Sequence, residues 1–181
     1  MSFLALLRSD KNAIATAWRD AIYSTYPFDT AGFLRKGQDE FKNPVGVRTD
    51  AAVHALTKHL LEEKVLDDLD LDAALDELVR IRAVQDFTPA KAVGAIFLLK
   101  GVVRLHLSKV GKMKDHIEAV LRFESKVDSV ALRAFDIYVK CRTQLYEMRL
   151  KEIKNRHAML FRHAGLTADT AAEETPDSEQ Q

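Results

Sequence analysis

The sequence predicts an all-α protein that ends in a long helix, and three observations support this. Apolar residues recur at spacings of three and four along nearly the whole chain, as in helices that bury one face. The 181 residues include seven Gly and four Pro, about half the usual share, whereas a barrel or sandwich needs a turn about every 10 residues. No Gly or Pro occurs between Gly111 and Gly165, so the last helical stretch is unusually long.

The first elements are a short amphipathic helix within residues 1–9 and a longer helix over Asn12–Ser24. Asp10 is expected to be the N-cap of the longer helix, because a short acidic side chain can accept from the free N–H groups of a first turn. The helix should end at Tyr26-Pro27, since the residue before a proline is pushed out of the α region. Residues 28–42 are expected to form a connection that contains one short helix.

A turn separates this connection from the next two helices. Asn43-Pro44-Val45-Gly46 has the composition of a turn, because Pro presets φ and Gly tolerates a positive φ. Helical spacing resumes at Val47 and continues to Leu60. Acidic residues within 67–70 are expected to cap the following helix, whose apolar face continues to Arg82.

The most apolar helix follows. Thr88-Pro89 predicts its start, with Thr as the N-cap and Pro at the first helical position. Apolar residues lie on nearly every side from Ala92 to Val110, so we expect neighbouring helices to cover this one. Gly94, Gly101 and Ser108 recur at a spacing of seven, which predicts a tight helix crossing; the alternative is room for a ligand.

The last helix poses a question of length. One helix over Met113–Phe161 would be ~73 Å long at ~1.5 Å per residue, whereas a compact domain of this size is ~40 Å across. Ser125–Asp128 resembles a capping box, where the helix could break, yet the apolar phase continues through it. Both outcomes stay open.

Beyond Met148 the helix is amphipathic and basic, and apolar positions continue past the length that one compact domain could cover. We expect these residues to form a homodimer interface, because a single compact domain could not bury them. The alternative is a helix that folds back onto its own domain. The four residues are Leu145, Met148, Ile153 and Leu160.

Charge and composition exclude several classes of protein. Lys plus Arg and Asp plus Glu number 27 each, and residues 167–181 hold five acids and no base, so residues 1–166 carry about +5, too little for a phosphate-backbone binder. The apolar run Ala92–Leu99 is far shorter than the ~20 residues that span a bilayer, and the N-terminus lacks the features of a signal peptide. We expect a cytoplasmic protein with one domain over residues 1–162 and a disordered acidic tail over residues 163–181.

The sequence carries no GxSxG, P-loop, GxGxxG or HExxH motif, so we expect neither an enzyme nor a bound cofactor or metal. His54 and His59 are five residues apart and do not share a helix face, which disfavours a metal pair. The single cysteine, Cys141, is in phase with core positions and is expected to be a buried, inert thiol. His106 on the most apolar helix suggests a haem ligand, although a hydrogen-bonded histidine is the preferred interpretation.

Two arginines near the end of one helix are candidates for a ligand site. Arg80 and Arg82 could together bind an anion. The favoured alternative is a structural salt bridge to Asp76, Glu77 or Asp86.

Several segments resemble a known family. They are Tyr26-Pro27 ahead of Phe33-Leu34, the run FKNPVG over residues 41–46, the run RIRAVQDFTPAKAV over residues 80–93, which contains Gln85, and FDIY over residues 135–138. Over about residues 10–150 the chain resembles the N-terminal domain of RsbR-type RsbT co-antagonists, the RsbRD N-terminal domain. It is also similar to the input domain of some bacterial sensor histidine kinases.

The resemblance implies a globin-like helical fold that has lost its haem and serves bacterial stress signalling as a sensory or interaction module, usually as a dimer. Family members commonly continue into a STAS or kinase domain, which is not found after residue 150 here, so we expect a stand-alone regulator that acts through protein–protein contacts. Two alternatives stay open. One is a globin-like sensor that binds haem or another small ligand, and the other is a helical adaptor without a ligand.

Overall fold

Seven α-helices and one short 3-10 helix make up the computed structural model, which describes residues 2–36, 39–61 and 68–163 and has no strand in those ranges. The predicted all-α class and the long C-terminal helix are confirmed. Most of the predicted disordered tail, residues 164–181, lies outside the described residues. The helices are α1 (Phe3–Ser9), α2 (Lys11–Tyr23), α3 (Phe28–Lys36), α4 (Pro44–Leu61), α5 (Asp68–Val84), α6 (Pro89–Lys109) and α7 (Ile117–His163), with the 3-10 helix Lys114–His116 before α7.

The chain divides by its internal packing into two units, Met1–Thr143 and Gln144–Gln181. The first unit has a core built from the buried faces of α1, α2, α4, α5, α6 and the first part of α7. Trp18 on α2 is fully buried there, and its indole N–H donates to the carbonyl of Ala95 on α6 at 2.8 Å. The largest side chain of the core is therefore also satisfied in hydrogen bonding. The globin-like arrangement and the single domain over residues 1–162 stay predictions.

Helix α4 begins three residues earlier than predicted, because Asn43 caps it. The buried Asn43 side chain accepts from the N–H of Gly46 at 2.9 Å and donates to the carbonyl of Leu34 at 3.0 Å. Pro44 takes the first helical position, where its missing N–H leaves no bond unmade. A Cβ on Gly46 would lie 2.3 Å from the Asn43 amide nitrogen, so the close approach of that side chain requires Gly. The run predicted as a turn is the first turn of a helix.

Helix α6 ends in a Schellman motif. The N–H of Lys112 donates to the carbonyl of Leu107 at 2.9 Å, and the N–H of Gly111 donates to that of Ser108 at 3.2 Å. Gly111 has a φ of +67°, in the left-handed region that favours Gly. The glycine thus both ends α6 and lets the chain turn toward α7.

One face of α6 is open, contrary to the prediction that neighbours surround it. The helix starts behind the N-cap Thr88, as predicted, but Phe97 and Leu105 are about half exposed. A Cβ on Gly94 or on Gly101 would meet no atom within 4 Å, so the tight crossing predicted at these glycines is wrong within the described chain. Small residues permit a close helix contact but do not by themselves create one.

Helix α7 is continuous over 47 residues and does not break near Ser125. The Ser125 hydroxyl donates to the carbonyl of Leu121 one turn earlier at 3.1 Å, so it does not act as a cap. In the first unit, Arg104 of α6 binds both carboxylate oxygens of the buried Glu124 at 2.5 and 2.6 Å. None of the described helices is both long and apolar enough for a membrane crossing.

Candidate functional site

The segments that carry the sequence resemblance meet at the end of α5. The hydroxyl of Tyr26 donates to Oε1 of Gln85 at 2.8 Å, and its ring meets the ring of Phe87 edge to face with 5.0 Å between centroids. On α7, the hydroxyl of Tyr138 donates to the carbonyl of Phe87 at 2.6 Å. We use the term Arg82 cluster for Thr25, Tyr26, Arg82, Gln85 and Phe87.

Arg82 is the buried cation of this cluster, with 1% of its surface exposed. Its Nη2 donates to Oγ1 of Thr25 at 2.9 Å and to the carbonyl of Lys91 at 3.1 Å. The guanidinium carbon lies 4.1 Å from the ring centroid of Phe87 and 5.3 Å from that of Tyr26. Burial lowers the pKa of the Arg82 guanidinium, and the neighbouring Tyr26 phenol partly offsets this. The Nε and Nη1 atoms are buried and have no hydrogen-bond partner.

The two candidate arginines have different environments. Arg80 is exposed and binds Asp76 through two hydrogen bonds of 2.8 and 2.9 Å, so the favoured salt bridge is confirmed for this residue. Arg82 contacts no carboxylate among the described residues, so the salt bridge is wrong for Arg82. Residues two apart lie about 200° apart around a helix, which directs one guanidinium to solvent and the other into the core.

Asp86 ends α5 and also binds α7. The N–H of Asp86 donates to the carbonyl of Ala83 at 3.3 Å, and the N–H of Phe87 donates to that of Arg82 at 3.1 Å, again a Schellman motif. Asp86 has a φ of +58°, where Gly is usual. Its carboxylate accepts from Nη1 of Arg142 at 2.6 Å, and the same nitrogen donates to the Ala83 carbonyl at 3.0 Å. The contact with α7 explains an acidic residue at this position.

These contacts join residues from all the segments that carry the resemblance except FKNPVG. Comparison with known families agrees with the family that those segments resemble. The model of the RsbT co-antagonist protein RsbRD N-terminal domain matches residues 12–153. The chain belongs to this family. A protein of Archaeoglobus fulgidus described as uncharacterized is 26% identical over 148 residues, which cover 79% of this chain and 84% of that protein. No solved structure matches.

The predicted family is therefore confirmed, and RsbRD N-terminal domains are regulatory domains of stress signalling. In this RsbRD N-terminal domain, the other candidate ligand residues do not enter the Arg82 cluster. His106 lies near the end of α6, and its Nε2 is 3.0 Å from Oδ2 of Asp10, the residue that connects α1 and α2. Gly94 and Gly101 lie on the open face of α6. Within the described ranges, no group of three or more His, Cys, Asp or Glu side chains is placed to hold a metal ion.

Cys141 lies on α7 with its side chain in the core, as predicted. Burial raises the pKa of the Cys141 thiol, and the nearby Arg80 partly lowers it. The raised pKa keeps the thiol protonated near neutral pH, and a protonated thiol is a poor nucleophile.

The predicted interface residues on α7 fall into two series. Leu145 and Met148 continue the spacing of core residues such as Cys141, whereas Ile153 and Leu160 follow a second spacing about 120° away. The second series is exposed, and its apolar members are three, four, seven or eleven residues apart in the sequence. Its apolar members are Leu121, Leu132, Phe135 and Val139 in the first unit and Tyr146, Leu150, Ile153 and Leu160 in the second.

Sequence reasoning missed Arg142 as the partner of Asp86 and missed Tyr146 and Leu150 in the exposed series. The sequence at the end of α5 contains a signal for the Asp86–Arg142 pair. Asp86 stands where a Schellman motif favours Gly, and a residue other than Gly there indicates a side-chain contact. The spacing of apolar residues along α7 contains a signal for Tyr146 and Leu150. Spacing alone, however, does not show which apolar face of the helix the domain covers.

Proposed function

We propose that this RsbRD N-terminal domain is a cytoplasmic regulatory domain that acts through protein–protein contact rather than catalysis, and that it binds a second copy of itself along α7. The observation that carries the proposal is the exposed apolar series of the second unit. Soluble proteins seldom leave apolar residues in a regular row facing water unless a partner covers them. The exposed fractions of Tyr146, Leu150, Ile153 and Leu160 are 51%, 57%, 49% and 62%.

The spacing of this series suits a second helix. Steps of four, three and seven residues from Tyr146 to Leu160 place the side chains along a narrow seam, and two such seams pack knobs into holes. Each large side chain removed from water contributes ~1.5–3 kcal/mol before the costs of association. The flanking Arg149, Lys154 and Arg156 can pack their aliphatic stems beside the seam while their charges stay in water.

The α5–α6 loop links the rest of the first unit to α7. Tyr138 and Arg142 hold α7 to the loop through the carbonyl of Phe87 and the carboxylate of Asp86. A change in the loop therefore alters the contacts of α7 directly. We propose this loop as the place where a regulatory input acts on the helix that carries the interface.

We further propose a globin-like arrangement without haem. His106, the histidine that the sequence offers as a haem ligand, has its Nε2 beside the carboxylate of Asp10. A nitrogen that faces a carboxylate of its own chain at 3.0 Å is less accessible to a haem iron. The purified protein is expected to show no Soret band.

Sedimentation velocity at tens of micromolar tests the interface. The wild-type chain is expected to be a dimer and Ile153→Glu a monomer, because a carboxylate in the seam would be buried without a partner. Asn155→Glu is the matched control: it adds the same charge about 200° around the exposed helix and should remain a dimer. A monomeric wild type, or an Ile153→Glu variant that associates like the wild type, would refute the proposal.

A further inference from the structure

Arg82 has a charge and two donors that the described chain leaves unsatisfied. Its Nε and Nη1 are buried and make no hydrogen bond of normal geometry, although the Tyr26 phenol interacts with the guanidinium, and its Nη2 donates to the neutral oxygens of Thr25 and Lys91. Buried polar groups in proteins are nearly always hydrogen-bonded, and a buried cation normally has a counter-charge. The one carboxylate on the same loop, that of Asp86, is held by Arg142 at 2.6 Å. A methionine would fill a similar volume without this cost, so the charge itself calls for an explanation.

The surroundings of the guanidinium favour an anion. The rings of Phe87 and Tyr26 pack against it at 4.1 and 5.3 Å, so a ligand has to approach its rim, where the free N–H groups lie. The side-chain N–H groups of Gln85 supply further donors, and the Tyr26 hydroxyl, which donates its proton to Oε1 of Gln85 at 2.8 Å, becomes a donor to the ion when Gln85 rotates away. Each of these groups can donate to a negative ion.

The residues beside the buried Arg82 reach the protein surface. Thr25 and Gln85 are exposed, Tyr26 is half-buried, and the Tyr26–Gln85 hydrogen bond lies at the surface. Rotation of the Gln85 side chain therefore opens the cluster without moving a helix. Because Arg82 itself is 1% exposed, a small ion can reach it with less rearrangement than a phosphate ester would need.

We propose that the Arg82 cluster binds a small monovalent anion, a halide or a carboxylate of the size of formate or acetate, through Arg82, Tyr26 and Gln85. The next two residues of the loop, Asp86 and Phe87, bind Arg142 and Tyr138 of α7. An anion bound at the cluster would therefore affect the loop that is proposed above to link a regulatory input to α7. The anion site does not depend on dimer formation, and its test uses a different readout.

Thermal unfolding of the full chain at constant ionic strength provides the test. Sodium gluconate is the baseline, and it is replaced stepwise by chloride, bromide, formate, acetate or sulfate. We expect a saturable rise in Tm with chloride and bromide, with formate and acetate, or with both pairs, and none with sulfate. The rise should vanish in Arg82→Met and persist in Arg80→Met, which removes an exposed arginine paired with Asp76.

A second measurement keeps the proposal open to refutation if Arg82→Met fails to fold. Isothermal titration of the wild type and of Tyr26→Phe, which keeps the ring and removes the hydroxyl, should show binding weakened about threefold to tenfold in the variant. The proposal is overturned if no anion raises Tm above the baseline, if only sulfate does, or if the rise is the same in Arg82→Met. It is equally overturned if Tyr26→Phe binds as the wild type does.

Discussion

At Asp86 the backbone preference and a tertiary contact oppose each other. A residue other than Gly at a φ of +58° carries a backbone cost of about 1 kcal/mol. Its carboxylate pairs at 2.6 Å with Arg142, and the side chains are 64% and 18% exposed. A pair with one exposed partner contributes about 0.5–1 kcal/mol. Because the two effects are similar in size, Asp86→Gly should leave the free energy of unfolding within about 0.5 kcal/mol of the wild-type value.

Two further variants separate the two effects. Asp86→Asn retains a side chain that tolerates the left-handed region but loses the charge, so it should lower the free energy of unfolding by about 0.5–1 kcal/mol. Asp86→Ala loses the charge and tolerates this backbone poorly, so it should lower the free energy of unfolding by about 1–2 kcal/mol. Urea denaturation followed by far-UV circular dichroism measures all three variants.

The decisive comparison is a double-mutant cycle. In an Arg142→Gln background the ion pair is already absent, so Asp86→Gly should stabilise the chain by about 1 kcal/mol through backbone relief alone. The reasoning is refuted if Asp86→Gly changes the free energy of unfolding equally in both backgrounds, or if it destabilises the wild type as much as Asp86→Ala does.

Two further predictions follow from burial and close contacts. Gly46→Ala should lower the free energy of unfolding by about 1–3 kcal/mol, because the new Cβ would lie 2.3 Å from the amide nitrogen of the buried Asn43. In Gly101→Ala the new Cβ would meet no atom within 4 Å, so this variant should raise the free energy of unfolding by about 0.5–1 kcal/mol. Urea denaturation measures both, and equal effects would contradict the geometry. Burial raises the pKa of Tyr23 to about 12, so the folded chain keeps a proton that the unfolded chain releases above about pH 10. Stability should therefore fall as the pH rises from about 10 toward 12, and Tyr23→Phe should flatten this part of the curve; an unchanged slope would assign it to another group.

The sequence alone determined the class of the fold and its main helices. Apolar spacing, the scarcity of Gly and Pro and the start signal at Thr88 act within a few residues, so they can be recognised without knowing what packs where. The unusual length of the last helical stretch was also predicted, because no Gly or Pro lies between Gly111 and Gly165, but only the structure showed that α7 does not break near Ser125. Membership of the RsbRD N-terminal domain family followed from local runs as well.

Tertiary structure decided which of the candidate residues act together. Arg80 and Arg82 look alike in sequence, yet one pairs with Asp76 at the surface and the other lies buried without a carboxylate. Asp86 receives its partner Arg142 from a helix 56 residues further along the chain. Such pairs arise from the packing of separate helices, and no local periodicity encodes them. The sequence shows which residues are able to form a site, and only the packed chain shows which of them meet.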